Sequence, residues 1–187
     1  MNYSNLVECY HSEATDKGTW HSYIEGFYAY RFTEFKDKPV KLLEIGVDKG
    51  SSIKLWKRWF THPDATIIGL DINAAGIEVV NQIPGAFGYC LDAFTTKALD
   101  MFPNNFFDFI IEDGPHTLET QIFAVNNWTK KLKVGGKLVI EDVQNPDHDE
   151  SEIWQAFKDR DLYEIKSHDW RRQKNRYDDY IIEITRK

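Results

Sequence analysis

The 187-residue sequence predicts an α/β fold built on a seven-stranded, mostly parallel sheet with helices on both faces. Short apolar runs alternate with helical patterns from about residue 40 onward, which is the order that parallel strands and crossover helices produce. The last two apolar runs follow each other without a helix between them, so we expect a C-terminal antiparallel hairpin with a long tip. A segment at about 2–35, rich in Tyr, Phe and Trp, precedes the sheet and predicts a helical cap.

Each predicted strand is a short apolar run that ends at polar or turn residues. Pro39 precedes the first strand, and Gly135-Gly136 is expected to turn the chain into the fifth. In chain order the predicted strands are residues 40–45, 66–70, 86–91, 106–111, 137–140, 162–167 and 180–185.

The predicted helices begin at residues that commonly cap helices. Ser51 or Ser52 can cap the first helix of the core, and Asn73 can cap the second, which Pro84-Gly85 ends. Further helices are expected at 95–102, from Thr117 to about residue 132, and at 149–159. We expect one domain, with the cap at 1–38 and the α/β core at 39–187.

Composition limits the classes of partner. The net charge of -7 argues against a general nucleic-acid binder, although the stretch at 171–176 is basic and is either a solvated loop or a contact for an anionic substrate. No apolar run is long enough to span a membrane, and the N-terminus lacks a signal-peptide pattern. Cys9 and Cys90 show no CxxC spacing, which fits a reducing compartment, so we expect a cytoplasmic protein.

Acidic residues follow the apolar strands at matching places. Because the carboxyl ends of parallel strands share one edge of a sheet, where ligands bind, these carboxylates are expected to face one crevice. They are Glu44, Asp71, Asp92, Asp113 and Asp142.

The first strand leads into a glycine turn and a helix start, the place where nucleotide-like cofactors bind in α/β proteins. Gly46 and Gly50 allow close approach of the backbone, although their spacing is not that of the dinucleotide fingerprint. Glu44 at the end of the strand suits a cationic cofactor, which favours S-adenosylmethionine over NAD. Asp71 lies where an acid binds ribose hydroxyls, and Asp92 can accept from the adenine amino group.

A second group of acids lies at the ends of the fourth and fifth predicted strands. Asp113, Glu141 and Asp142 offer hard oxygen ligands, which suit Mg²⁺ or Ca²⁺. His116 can act as a general base toward a hydroxyl, or it can cap the next helix or bond to a backbone carbonyl. Glu112 and Glu141 can also be supporting or solvated residues.

Four motifs carry a resemblance to a known family. They are Thr15-Asp16-Lys17-Gly18-Thr19 with His21 and Tyr23, Leu43 to Ser52, Glu112-Asp113-Gly114-Pro115-His116, and Gly135-Gly136 followed by Ile140-Glu141-Asp142. With these motifs the chain resembles class I S-adenosylmethionine-dependent methyltransferases, which have a Rossmann-like fold. More narrowly, it resembles metal-dependent sugar O-methyltransferases of macrolide and polysaccharide modification, near the cephalosporin hydroxylase-like group.

The resemblance implies roles for named residues. The loop through Ser51 would bind the cofactor, and Asp16 and Lys17, with His21, would fold over the site. Asp113 and Asp142, with Glu141 as a further candidate, would bind the metal, and His116 would deprotonate a sugar hydroxyl. Pro115 departs from the serine that is usual before this histidine, the usual aspartate pair is partly glutamate, and the large N-terminal domain of some macrolide enzymes is not expected here.

The acceptor is expected to be a hydroxyl of a sugar or a glycosylated small molecule. Aromatic residues of the cap and of the hairpin tip, namely Trp20, Tyr23, Phe27 and Trp170, are candidate walls for it. A Mg²⁺-dependent catechol-type methyltransferase, a non-catalytic S-adenosylmethionine-binding module and an NAD-dependent oxidoreductase are the alternatives. A homo-oligomer is compatible with the sequence, which does not identify the acceptor, the hydroxyl position or the pathway.

Overall fold

The computed structural model describes residues 4–187, so residues 1–3, where the predicted cap begins, lie outside the described residues. Seven strands form one sheet, as predicted. In chain order they are β1 (Lys41–Ile45), β2 (Thr66–Asp71), β3 (Ala86–Cys90), β4 (Phe107–Glu112), β5 (Leu132–Ile140), β6 (Tyr163–Asp169) and β7 (Tyr180–Arg186).

The strands lie in the order β3-β2-β1-β4-β5-β7-β6. Strands β1 to β5 are parallel to one another, whereas β7 runs antiparallel to both β5 and β6. The order reverses between β1 and β4, which opens a crevice at the carboxyl ends of these two strands. The predicted fold class, with its C-terminal antiparallel hairpin, is therefore confirmed.

Helices cover both faces of the sheet. The helices are α1 (Leu6–Tyr10), α2 (Asp16–Thr19), a π-helix (Ile24–Tyr28) that continues into α3 (Ala29–Phe32), α4 (Ser51–Trp59), α5 (Ala74–Asn81), α6 (Thr96–Asp100), α7 (Leu118–Asn127) and α8 (Pro146–Ala156). One buried cluster joins the N-terminal helices, α4 and α5 to one face of the sheet, and a second joins α6, α7 and α8 to the other face.

The ends of several elements differ from the prediction for local reasons. Strand β5 begins at Leu132 rather than at residue 137, because Gly135 adopts a left-handed φ of 79° inside the strand and the register opposite β4 shifts there. Helix α8 begins at Pro146, a favoured first helical residue, rather than at residue 149. Helix α7 ends at Asn127 and continues only as a 3-10 turn to Lys131.

Helix capping follows the prediction at one position and departs from it at another. Asn73 accepts from the backbone N–H of Ala75 at 3.1 Å and caps α5, as predicted. Neither Ser51 nor Ser52 caps α4, because left-handed Gly50, with φ 74°, occupies the cap position. This glycine makes the turn from the loop after β1 into the helix.

The N-terminal segment packs directly on the sheet. Tyr28 and Phe32 contact Trp56 of α4, and Phe32 also contacts Phe109 of β4, with ring centroids 4.7 to 5.1 Å apart. The segment thus shares the core of the sheet, while the boundary between residues 38 and 39 stays a prediction. Within residues 4–187, no helix combines the length and apolar character that crossing a bilayer requires.

Candidate active site

The carboxyl ends of β1, β4 and β5 are held together by backbone hydrogen bonds. The N–H of Asp113 donates to Ile45 O at 2.9 Å, and the N–H of Glu141 donates to Glu112 O at 3.0 Å. The acids that end these strands therefore have fixed spacing, and Asp113 and Asp142 both lie at the edge of the crevice.

The glycine loop after β1 passes very close to the end of β4. Gly46 has a left-handed φ of 84°, and a Cβ on it would lie 1.8 Å from the carbonyl oxygen of Asp113. Only glycine fits there, so the structure explains this residue by a close approach as well as by its φ. Ser51, at the start of α4, is half-buried.

Asp71, at the end of β2, holds the glycine loop in place through hydrogen bonds. Its carboxylate accepts from the N–H groups of Val47 at 2.8 Å, Asp48 at 3.3 Å and Asn73 at 2.8 Å. A carboxylate has about four acceptor positions, so one stays available for a ribose hydroxyl. Asp92 is exposed after β3 and accepts from Phe94 N–H at 2.9 Å. The cofactor contacts of both residues stay predictions.

A fully buried lysine joins three of the acids. The Nζ of Lys17 lies 2.5 Å from Asp113 Oδ2, 2.5 Å from Glu141 Oε2 and 3.2 Å from Glu44 Oε1. We call Lys17, Glu44, Asp113 and Glu141 the lysine cluster. Asp16, by contrast, is exposed at the start of α2, where it accepts from the hydroxyl of Thr15.

Two aromatic side chains donate hydrogen bonds to acids of the lysine cluster. The hydroxyl of Tyr28 donates to Glu141 Oε1, and Trp56 Nε1 donates to Glu44 Oε2 at 2.7 Å. Glu44 and Glu141 are thus fully buried and occupied by protein partners, so neither is solvated. The predicted roles of Glu44 toward the cofactor and of Glu141 toward the metal stay predictions, and these contacts favour a supporting role for both.

A second group faces the crevice and can hold a cation. His116 Nε2 lies 3.8 Å from Asp113 Oδ1 and 3.9 Å from Asp142 Oδ2. The possible ligand atoms of these three residues all lie within 4.8 Å of one another, close enough for one ion. The two carboxylates suit Mg²⁺, whereas binding through the imidazole as well would suit a transition metal. The donor set therefore fits the predicted divalent cation.

His21 approaches Asp142 from the other side. His21, Asp142 and Asp178 also bring ligand atoms within 4.8 Å of one another, and His21 Nδ1 lies 3.4 Å from Asp142 Oδ1. The guanidinium of Arg176 binds both oxygens of Asp178 at 2.8 and 3.0 Å, which already neutralises that carboxylate. Tyr23 donates to Asp142 Oδ1 at 2.6 Å and so fixes the orientation of this carboxylate.

The surroundings shift the proton affinities of these groups. Burial, together with the nearby Asp113, raises the pKa of Asp142 to about 7. Burial lowers the pKa of His116 even though Asp113 opposes this shift, so the imidazole is neutral at pH 7. Burial alone would lower the pKa of Lys17, but Asp113, Glu141 and Glu44 together raise it well above its usual value. These three acids thus keep Lys17 charged at pH 7.

Glu112 is fully buried on the opposite face of the sheet from the lysine cluster. Its Oε1 accepts only a long bond of 3.4 Å from the N–H of Gly114, and its Oε2 has no hydrogen-bond partner. Burial, with Asp113 nearby, raises the pKa of Glu112 to about 8. It is neither a solvated residue nor part of the group that faces the crevice.

The aromatic residues proposed as acceptor walls occupy different environments. Tyr23 and Phe27 are buried, so the expectation that they line an acceptor pocket is wrong. Trp170 packs across Gly26 and stacks on His168, whereas Trp20 is 63% exposed.

In the basic stretch at 171–176 the two arginines at the ends pair with acids, while Arg172 is exposed. Arg171 pairs with Asp169 and Asp147, and Arg176 pairs with Asp178. Lys174 donates to the carbonyl oxygens of Gly18 and His21, which anchors the cap segment to the hairpin tip.

Sequence reasoning did not assign Tyr28, Trp56 or Asp178 to the site. Tyr23 and Tyr28 reach the neighbouring acids Asp142 and Glu141 because they lie five residues apart around a π-helix, a spacing that an α-helical pattern does not reveal. A buried polar partner for Glu44 could have been sought among the residues of the following helix, where Trp56 offers an indole N–H.

Comparison with known proteins places this fold among methyltransferases. A tetracenomycin-C rhamnosyl 3'-O-methyltransferase of Streptomyces olivaceus is 30% identical over 139 residues, which are 70% of this chain and 34% of that protein. Demethylmacrocin O-methyltransferase of Streptomyces fradiae is 30% identical over 62% of this chain and 30% of its own length. The chain thus spans about a third of the length of the curated relatives it matches, and no family model matches it.

Solved structures show the same fold. MycE methyltransferase from the mycinamycin pathway, in complex with Mg and S-adenosylhomocysteine, superimposes with a TM-score of 0.75 at 20% identity, over 99% of this chain and 55% of that chain. Fibrillarin of Aeropyrum pernix with bound S-adenosyl-L-methionine gives a TM-score of 0.63 at 17% identity, over 81% of this chain. The chain has the class I S-adenosylmethionine-dependent methyltransferase fold and is related in sequence to sugar O-methyltransferases.

Proposed function

We propose that this chain is an S-adenosylmethionine-dependent O-methyltransferase that methylates a sugar hydroxyl of a glycosylated small molecule with the help of a divalent cation. The observation that carries the proposal is the group of Asp113, His116 and Asp142, whose ligand atoms lie within 4.8 Å of one another. This group lies directly beside the glycine loop, because Gly46 is in contact with the carbonyl of Asp113. Relatives named as rhamnosyl O-methyltransferases support the acceptor class.

Different residues of the crevice are proposed to bind the cofactor and the cation. The loop from Gly46 to Ser51, with Asp71 and Asp92 beyond it, is the proposed site for S-adenosylmethionine, which supplies the methyl group when bound. Asp113 and Asp142 would hold the cation, for which Mg²⁺ is the first candidate. Such a cation lowers the pKa of a hydroxyl bound to it and stabilises the negative charge that develops on the oxygen.

His116 is the proposed general base. Burial lowers the pKa of His116 below its ordinary value, which favours the neutral imidazole that can accept a proton from the acceptor hydroxyl. Asp113 and Asp142, at 3.8 and 3.9 Å, would stabilise the imidazolium that forms. Tyr23 holds Asp142 in the orientation that this arrangement requires.

A transfer assay tests the proposal directly. Methyl transfer from labelled S-adenosylmethionine to rhamnosylated and other glycosylated acceptors is expected, with no transfer to catechols. The substitution His116→Ala should lower turnover by about 10²- to 10⁴-fold, while calorimetry should show unchanged affinity for S-adenosylhomocysteine.

The matched control is His148→Ala, because His148 is an exposed histidine on α8. Turnover of His116→Ala equal to that of His148→Ala would place the base elsewhere. Labelling of catechols but of no glycosylated acceptor would assign the chain to the catechol-type alternative.

The cytoplasm is the proposed location. Cys9 is buried and Cys90 exposed, and both are free thiols, as a reducing compartment allows. Homo-oligomerisation stays a prediction from the sequence.

A further inference from the structure

Lys17 is a buried ammonium that lies among carboxylates in the place where a metal ion could be expected. Its side chain is 2% exposed, and its Nζ contacts Asp113, Glu141 and Glu44 within 3.2 Å. We propose that Lys17 serves as a built-in second cation, so that this acidic site takes one divalent cation rather than two. The inference rests on the metal site of the proposed function.

The oxygens of Asp113 are divided between the two positions. Its Oδ2 bonds to Lys17 at 2.5 Å, whereas its Oδ1 faces His116 at 3.8 Å. Asp142 lies near His116 and His21, whereas Glu44 and Glu141 contact Lys17. A divalent cation on the crevice side and the ammonium on the buried side can therefore be present together, with Asp113 shared between them.

Partners other than Lys17 hold two carboxylates of the lysine cluster in place. Tyr28 binds Glu141 and Trp56 binds Glu44, and both acids are at most 1% exposed. Removing one partner of a buried ion pair leaves an uncompensated buried charge. Three carboxylates would then surround the space that the ammonium fills, and carboxylate oxygens around such a space are the ligands that divalent cations bind.

Lysine can supply the positive charge of a second metal at this buried position. An ammonium is a compact cation with three donors, and here it donates to Asp113 and Glu141 and lies 3.2 Å from Glu44 Oε1 as an ion pair. Because Lys17 is covalently part of the cap segment, this charge also ties α2 over the end of the sheet.

Counting bound Mn²⁺ by electron paramagnetic resonance tests the inference on the full chain. The wild-type protein should bind one equivalent, and Lys17→Met should bind two. The double variant Lys17→Met with Glu44→Gln removes one positive and one negative charge, so it should return to one equivalent. Lys174→Met is the matched control, because Lys174 also ties the cap segment but contacts only backbone carbonyls there; it should bind one.

The outcomes separate this inference from the proposed function. Two equivalents in the wild type, or one in folded Lys17→Met, would overturn the role of Lys17 alone. No bound Mn²⁺ in the wild type would contradict the metal site itself. If Lys17→Met does not fold but Lys17→Met with Glu44→Gln does, the result supports compensation of the buried charges by Lys17. If neither variant folds, Lys17 acts through packing and the inference is overturned.

Discussion

The substitution Gly46→Ala is expected to destabilise the protein by about 3–6 kcal/mol, because three separate costs add at one position. The left-handed φ of 84° costs an alanine about 1–2 kcal/mol. The new Cβ would lie 1.8 Å from Asp113 O, whereas a carbon–oxygen contact needs about 3.3 Å. Separating the two loops breaks the 2.9 Å bond from Asp113 N to Ile45 O, which costs about 1 kcal/mol. Residual overpacking adds about 1–3 kcal/mol.

Urea unfolding followed by tryptophan fluorescence measures this loss of stability. Gly135→Ala is the control, because Gly135 has a similar φ of 79° but no atom lies within 4 Å of the position that a Cβ would take there. It should lose only the conformational cost of about 1–2 kcal/mol. Equal losses for the two variants would show that the contact with Asp113 carries no cost and would refute this reasoning.

Three further predictions concern the buried acids and the cation. Tyr28→Phe should lower the free energy of unfolding by about 1–3 kcal/mol, because it removes the phenol hydrogen bond to buried Glu141. Tyr30→Phe, at a 74% exposed position, should leave the free energy of unfolding unchanged. Equal effects of the two substitutions in urea titrations would count against the role of Tyr28 as a partner of Glu141. The folded state raises the pKa of Glu112 from 4.5 to about 8, so the stability that its bound proton provides is full below pH 4.5 and is lost as the pH rises toward 8. Glu112→Gln should therefore gain stability relative to wild type between these pH values, by up to about 5 kcal/mol, and a difference independent of pH in unfolding titrations would contradict the shift. Chelation with EDTA should stop methyl transfer and added Mg²⁺ should restore it, with calorimetric affinity for S-adenosylhomocysteine unchanged; transfer that persists after chelation would remove the cation from the mechanism.

The order of elements could be predicted because it depends on local patterns. Apolar runs of strand length, separated by helical patterns, are enough to indicate a parallel sheet, and acids that directly follow the strands must then lie at one edge. Asp113 and Asp142 do lie there, and His116 is beside them. The ends of β5 and α7 were less predictable, because a strand can absorb a glycine as a bulge and a helix can narrow to a 3-10 turn without any change in hydrophobic pattern.

The sequence by itself determined the sheet, the glycine turn at Gly46 and the acids that follow the strands. Only the tertiary structure decided which of those acids face the crevice and which are buried beneath it. Glu44 and Glu141 follow the same strand-end pattern as Asp142, but side chains alternate between the faces of a strand, and the buried face is closed by Lys17, Tyr28 and Trp56 from distant parts of the chain. A buried carboxylate needs such partners, and their approach depends on packing of the cap on the sheet, which no local pattern encodes.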